Sequence, residues 1–427
     1  MSVPRRLSEY SNSISRILGR KIEDLGAVKR ETAVANMIAS RTSILKFRAE
    51  GSDFEIYANI LASRRELHLL FGTSNDDELY GKLLEAVEHA RRPTIDDFSK
   101  YYRRVDADLS SLPFLRFFEE DGGPYLTGSI VVACWEGVCN ASFHRVMYRD
   151  RLRATLRIVP RHLHYIVSKY HGNGKDAPAA IILGANPIYE VASAMSPPLG
   201  TYEIFVGAAL SGEDRLVLTP EHKIPVPASA GAIVEGKITR ELDEEGPFVD
   251  ILGVPDEKRM QPVFVPENIY YNVNGPEYHA IVPSLTEHLL LMGFPREPFI
   301  YRAVKSIVPG LRSVRLSRGG SGWLTIVLSL EQRVEGEGLT AAIAALSAHP
   351  SAKVVIVVDH DIDPDDPVQV EWAIATRTKP GDDVVILRNL RGSTMDPRSK
   401  DGLGDKLIIL ALKPFGEPWD KYRRVRV

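Results

Sequence analysis

The chain has 427 residues, 44% hydrophobic and 26% charged, which suits a soluble globular protein of about two or three domains. With 53 Lys and Arg against 56 Asp and Glu, the formal net charge of −3 gives no general pull toward nucleic acid or a membrane surface. Only Cys134 and Cys139 are present, which excludes a disulfide framework and suits a reducing cytoplasm, and neither a signal peptide nor a run of ~20 apolar residues is found.

Residues 1–110 read as an N-terminal α/β segment. SILKFRAE (43–50) alternates as a strand does. DDELYGKLLEAVEHARR (76–92) carries apolar residues at helical spacing, with Asp76 and Asp77 at its start and Arg91 and Arg92 at its end. Residues 111–284 are strand-rich. GSIVVACW, NASFHRVMY, LRATLRIV, YEIFVGAAL, RLVLT, AGAIVEGKI and VFVPENIYYN are β-branched and aromatic runs divided by Gly, Pro, Asn and Asp. Helices over 159–171 and 186–195 interrupt them, and the whole reads as an α+β domain of split-barrel-like form. Residues 285–427 alternate helix and strand as a second α/β domain, with KVVIVV (353–358) a buried strand. Neither GxGxxG after a strand nor GxxxxGK[ST] occurs, so no dinucleotide or P-loop site is expected.

Four constellations bear chemistry. In the hairpin 140–162 six arginines (145, 149, 151, 153, 157 and 161) face one acid, Asp150. Guanidinium forks suit carboxylate or phosphate, although a solvated basic hairpin has the same composition. Arg145 lies among apolar neighbours, where a buried arginine needs an anion. Asn140, His162 and Glu203 are an O, N, O set for Mn²⁺ or Mg²⁺, too widely spaced to be a local motif, and an ordinary satisfied histidine remains open. DHDIDPDD (359–366) lacks the glycine and terminal glutamate of a calcium loop and reads as a strand end followed by an N-cap at Asp366, with Pro367 in the first helical position. In ELDEEGPFVD (241–250) the Gly246-Pro247 break prevents a shared helical face, leaving two readings: a wet acidic turn, or Glu245 and Asp250 brought round one pocket.

The order of these segments resembles the UbiD-type decarboxylases. Asn140-Ala-Ser-Phe-His-Arg145, Pro160-Arg-His162, Gly184-Ala-Asn186-Pro187, Met195-Ser-Pro-Pro, Glu203, VPASAGAIVEGKI (226–238), EEGPFVD (244–250) and VDHDIDPDDPVQVEWAIATRTKP (358–380) are similar to the family's motifs in sequence order, over most of residues 45–415. The resemblance implies prenylated FMN as cofactor, supplied by a flavin prenyltransferase. It implies Asn140, His162 and Glu203 on Mn²⁺ (or Mg²⁺) with K⁺ nearby, Arg161 and Met195 lining the cofactor, and Arg145, Glu245 and Asp250 as catalytic triad.

It further implies non-oxidative decarboxylation of an α,β-unsaturated acid by a homo-oligomer that contacts itself through the C-terminal domain. One branch turns trans-anhydromevalonate 5-phosphate into isopentenyl phosphate in an archaeal mevalonate pathway. Such a substrate needs a further cation, for which His144, Arg149, Lys223 and the spare hairpin arginines are candidates. A 4-hydroxybenzoate-like aromatic acid is the alternative substrate, and a non-catalytic flavin-binding homologue the alternative function. Three positions depart from the pattern: Gly231 replaces a frequent Glu, Val138 stands where some members have an indole, and Leu410 replaces an acid of the C-terminal tail.

Overall fold

The strand Ser129–Trp135 is apolar on consecutive positions because both faces of its sheet are covered. Val131 and Ala133 enter one core with Phe47, Ile56 and Phe264, whereas Ile130 and Val132 enter another with Tyr189, Ile204 and Tyr270. The computed structural model describes residues 6–424 apart from 32, 91, 213–214 and 401. These divide into two compact units, one formed by residues up to 74 with 85–291, the other by 75–84 with residues from 292 onward.

A nine-stranded antiparallel sheet carries the first unit. Its hydrogen-bonded path runs Tyr125–Leu126, Val146–Asp150, Arg153–Leu156, Arg259–Asn272, Ala232–Glu245, Ala177–Leu183, Ser129–Trp135, Val138–Phe143, with Tyr102–Val105 also paired to Arg259–Asn272. Val138–Phe143 is one edge of this path, and Val146–Asp150 lies next to the opposite edge. Only His144 and Arg145 link them, a span of no more than about 11 Å. The sheet must therefore curl until its ends meet, which accounts for the split-barrel form. Arg145 stands on the seam.

A four-stranded sheet of Ile22–Val28, Ile44–Ala49, Glu55–Ala58 and Glu277–His279 binds the N-terminal segment into the same unit, since its last strand comes from far along the chain. The helix Asp76–Glu88 begins with three acids, while Arg91 lies outside the described residues.

Two local expectations are corrected. YEIFVGAAL, read as a strand, is the helix Glu203–Ser211, opened by an acid and closed by Gly212 at φ 66°. A run buried on nearly all sides shows no period from which helix and strand can be told apart. It packs closely on the helix Pro187–Met195: a Cβ on Gly207 would fall 2.4 Å from the Tyr189 ring. The cysteines, taken to fit a reducing compartment, are joined by a disulfide. Cys134 and Cys139 are direct cross-strand partners of the hairpin, with Cα atoms 4.0 Å apart. No helix among the described residues is long and apolar enough to cross a membrane.

The second unit is a five-stranded sheet, Leu311–Leu316, Thr325–Leu330, Val354–Asp359, Leu403–Ala411, Val384–Arg391, parallel at its centre and antiparallel at both edges. Glu297–Lys305 and Glu337–Ala348 contribute to one of its cores, Pro367–Arg377 to the other. The acids of DHDIDPDD hold this unit together. Asp366 Oδ1 accepts from Val368 N and caps the helix, and Arg377 Nη1 donates to both Asp359 and Asp361 at 2.8 Å.

Candidate active site

The arginine hairpin and the acidic stretch are counterions of one another, and they sort by depth. On the outside, Arg149 pairs with Asp243, Arg153 with Glu241 and Asp150, Arg151 with Asp108, and Lys258 with Glu244. These pairs are exposed or partly exposed and worth little each. Glu241, Asp243 and Glu244 are therefore solvated acids, as composition suggests, but they stand on the paired strand Ala232–Glu245 and not in a turn.

Inside, the arrangement differs. Glu245 is the last residue of the strand Ala232–Glu245 and is fully buried. Arg145 donates to it through Nε at 2.8 Å and Nη2 at 2.9 Å, a bidentate fork. Nη1 donates to Asp250 at 2.8 Å and Nη2 to Asp256 at 3.0 Å, while the guanidinium stacks 4.5 Å over the Phe248 ring. Burial opposes the arginine's charge, but Glu245 and the two aspartates outweigh it and hold its pKa above the usual value. The structure thus unites Arg145, Glu245 and Asp250, on three different segments, and adds Asp256, which sequence reasoning missed.

Several neighbours fix this geometry. Phe248–Val249 pairs with Pro255–Asp256 in a two-stranded ladder, so the turn between them presents Asp250 and Asp256 toward the same guanidinium. Buried Asp121 accepts from Val249 N at 3.0 Å and Phe118 N at 2.9 Å, fastening that ladder to the loop before the sheet. Gly122 is required there, since a Cβ would lie 2.3 Å from the Gly246 carbonyl oxygen. Asp250 also feels His288, whose Nδ1 accepts from Ser284 N at 3.1 Å; burial lowers the pKa of this imidazole and Asp250 opposes the shift.

Of the metal set, the structure joins Asn140 and Glu203. Asn140 Nδ2 donates to Glu203 Oε1 at 2.7 Å and Ala141 N to Oε2 at 2.8 Å, and both side chains are buried. His162 is the first residue of the helix His162–Gly172, which packs on the hairpin strands that carry Asn140, and Arg161 is its N-cap residue. Among the described residues no three His, Cys, Asp or Glu side chains gather as a metal site. A cation here would accordingly draw on the Asn140 amide oxygen and a ligand's own oxygens as well, and hard oxygen donors fit Mn²⁺ or Mg²⁺. Met195 ends the buried helix Pro187–Met195, and Ser193 Oγ on that helix is buried without a hydrogen-bond partner among the described residues, an oxygen suited to a monovalent ion.

A second buried network, invisible in the sequence, adjoins this helix. His279 Nδ1 meets Glu190 Oε2 at 2.8 Å and its Nε2 lies 2.9 Å from Glu287 Oε1, all three residues being buried. Burial works against the imidazolium, but the two glutamates push its pKa up to about 10. Glu287 also accepts from Asn59 N and Leu61 N, so this network links the N-terminal segment to the helix that ends in Met195.

The departure at Gly231 has a steric reason: a Cβ there would sit 2.1 Å from the Glu277 carbonyl oxygen, so no side chain fits.

Comparison with known proteins agrees over nearly the whole chain. The family model described as 3-octaprenyl-4-hydroxybenzoate carboxy-lyase Rift-related domain matches residues 90–285, and the corresponding C-terminal domain matches 289–411. The chain is 41% identical to the anhydromevalonate phosphate decarboxylase of Aeropyrum pernix, over 91% of this chain and 89% of that protein. It is 40% identical to the one from Methanosarcina mazei, over 89% of this chain and 90% of that protein. Among solved structures it is similar to the UbiD-class enzyme HmfF from Pelotomaculum thermopropionicum in complex with FMN, with a TM-score of 0.92 and 30% identity, covering 98% and 96% of the two chains. An evolved dimeric form of that enzyme, in complex with prFMN, gives a TM-score of 0.89 at 29% identity, covering 99% and 97%. Both parts of the fold, the order of the motifs and these identities agree: the chain belongs to the UbiD family of carboxy-lyases.

Proposed function

We propose that this protein decarboxylates trans-anhydromevalonate 5-phosphate to isopentenyl phosphate, using prenylated FMN. The observation that carries the chemistry is the Arg145 guanidinium held between Glu245 and Asp250 on the seam of the sheet. The substrate follows from five relatives, 36–41% identical, that are named anhydromevalonate phosphate decarboxylase. Prenylated FMN, when bound, supplies the electron sink that lets CO₂ leave from an unsaturated carbon.

The chain's own residues do the rest. Arg145 orients the substrate carboxylate, Glu245 holds the arginine in place, and Asp250 carries the proton that closes the carbon left after the C–C bond breaks. Asp250 suits that part because its side chain is 30% exposed whereas that of Glu245 is fully buried, so a proton can reach it from solvent. Asn140, His162 and Glu203 would hold Mn²⁺ or Mg²⁺ against the flavin phosphate, with K⁺ beside Ser193 and Arg161 and Met195 lining the flavin. The protein works in the cytoplasm, takes its cofactor from a flavin prenyltransferase, and self-associates as a homo-oligomer through the 285–427 domain.

The test is holo-protein made with a flavin prenyltransferase and supplied with Mn²⁺ and K⁺, assayed for CO₂ release from the anhydro-phosphate and from 4-hydroxybenzoate. Turnover of the aryl acid alone would overturn the substrate. Failure to retain any prenylated flavin would overturn the cofactor.

A further inference from the structure

Among the described residues, the guanidinium of one hairpin arginine has no hydrogen-bond acceptor. Arg149 is held by Asp243, Lys223 Nζ by the Pro220 carbonyl at 2.6 Å, and His144 by Arg157 O and Ser142 Oγ. Burial, aided by the charges of Arg157 and Arg161, pushes His144 down to about 4, so this imidazole is neutral and offers an anion no charge. Three of the cations that sequence reasoning offers for a substrate phosphate are therefore committed or uncharged.

Arg157 is different. Its guanidinium makes no hydrogen bond among the described residues, and the carboxylate oxygen it approaches, Asp256 Oδ2, is 3.7 Å away. That oxygen already accepts from Arg145 Nη2 at 3.0 Å, and Asp256 Oδ1 accepts from Arg259 Nη2 at 2.7 Å. The side chain is 17% exposed, so little water can reach its donors. Burial and the charges of Arg259 and Arg145 all press against its protonation.

The backbone holds it there nonetheless: Arg157 N donates to Arg145 O at 3.3 Å, and His144 Nδ1 lies 2.8 Å from Arg157 O. What is missing is not net negative charge, since Arg145, Arg157 and Arg259 face Glu245, Asp250 and Asp256. What is missing is an acceptor for the fork of Arg157. Water meeting those donors is the bland alternative.

We infer that Arg157, flanked by Arg259, forms a phosphate-monoester subsite beside the Arg145 cluster. A phosphate monoester presents three acceptor oxygens in a tetrahedral array and can take two guanidinium forks at once. Two sources of this chemistry enter the enzyme, the substrate and the flavin, and the first rests on the function proposed above. Each source has its own signature.

The experiment compares wild type, Arg157→Gln and Arg157→Lys in three measurements. The first is steady-state decarboxylation of the phosphorylated unsaturated acid and of its dephosphorylated alcohol. A substrate-phosphate subsite raises KM for the phosphorylated acid about tenfold or more in the Gln variant, leaves KM for the alcohol within about twofold, and is partly restored by Lys. The second is binding of FMN and of riboflavin to apo-protein; a flavin-phosphate subsite weakens FMN about tenfold and leaves riboflavin unchanged. The third is binding of inorganic phosphate to apo-protein, which remains readable if the wild type turns over neither acid, so that failure of the functional reading and failure of the subsite stay distinct. Wild-type values for all three in Arg157→Gln would overturn the inference and leave a hydrated arginine. Equal losses with and without the phosphate group would equally overturn it, in favour of a general role in holding Asp256.

Discussion

Asp250→Asn separates the proton-delivery role proposed for this acid from its structural role. Arg145 makes four hydrogen bonds to carboxylates, and the substitution weakens one of them. The bidentate contact with Glu245 and the contact with Asp256 remain, so the guanidinium keeps its place. The lost partner has a side chain 30% exposed, and an ion pair at that exposure is worth at most about 1 kcal/mol. Thermal unfolding should therefore shift by no more than about 4 °C. Loss of a positioned general acid costs about 10²–10⁴ in rate, or roughly 3–5 kcal/mol of barrier. Single-turnover formation of the protonated product by holo-enzyme reads this directly, because CO₂ leaves before the proton arrives, and the steady-state KM should change by less than about threefold. Glu245→Gln is the contrast. Its carboxylate is wholly buried and takes two donors, and one amide oxygen cannot replace it, so this variant loses about 3–5 kcal/mol of stability as well as activity. If Asp250→Asn kept the wild-type single-turnover rate, or unfolded as readily as Glu245→Gln, the division of labour drawn here would be wrong.

Further outcomes follow from other contacts. His279 titrates near 10 in the fold against about 6.5 unfolded, so its share of stability is whole below about pH 6.5 and is lost as pH rises toward 10. The unfolding midpoint should fall between pH 7 and 10, and His279→Gln should flatten that fall; an equally steep fall in the variant would place the alkaline loss elsewhere. Glu203→Gln, or chelation of divalent metal, should weaken FMN retention about tenfold or more by fluorescence titration, and unchanged retention would remove Glu203 from the proposed metal site. Gly231→Glu, which restores the family's frequent acid, must displace the Glu277 backbone and should cost about 1–3 kcal/mol in urea unfolding; a neutral result would show that this backbone yields. Asp256→Asn should lower KM for the acid severalfold by loosening the hold on Arg145 Nη2, and a raised KM would make Asp256 a partner of the substrate rather than its competitor.

Arg145, Glu245 and Asp250 were legible because each sits in a run whose order and spacing match a family pattern. Asp256 was not: it falls between Pro255 and Glu257 with no motif around it, and only the pairing of Phe248–Val249 with Pro255–Asp256 brings it to the arginine. Asp121 is hidden for the same reason, since its work is to accept backbone N–H groups of a distant ladder. The Glu190–His279–Glu287 network draws on two helices and a strand of another sheet, a relation no local spacing records. The helix Glu203–Ser211 was misread because burial erases the polar face from which helical period is judged. The expectation for Glu203 does not depend on that misreading, because the motif rests on position along the chain and not on the element that carries it.

The donor count at Arg145 has a consequence for substrate binding. A guanidinium has five N–H groups, and four here are taken: Nε and one on Nη2 by Glu245, the other on Nη2 by Asp256, and one on Nη1 by Asp250. The edge used by Glu245 is closed to a substrate, because its loss would strip a buried carboxylate of its partner. A substrate carboxylate held bidentately must take the end-on edge, which spans Nη1 and Nη2, and so must replace Asp256 at Nη2. Asp256 can yield at low cost, since Arg259 already holds its other oxygen at 2.7 Å and the Arg157 guanidinium, without a hydrogen bond among the described residues, stands 3.7 Å away. The same exchange crowds Asp250 at Nη1, so the proposed seating of the substrate carboxylate bears on both aspartates of the cluster.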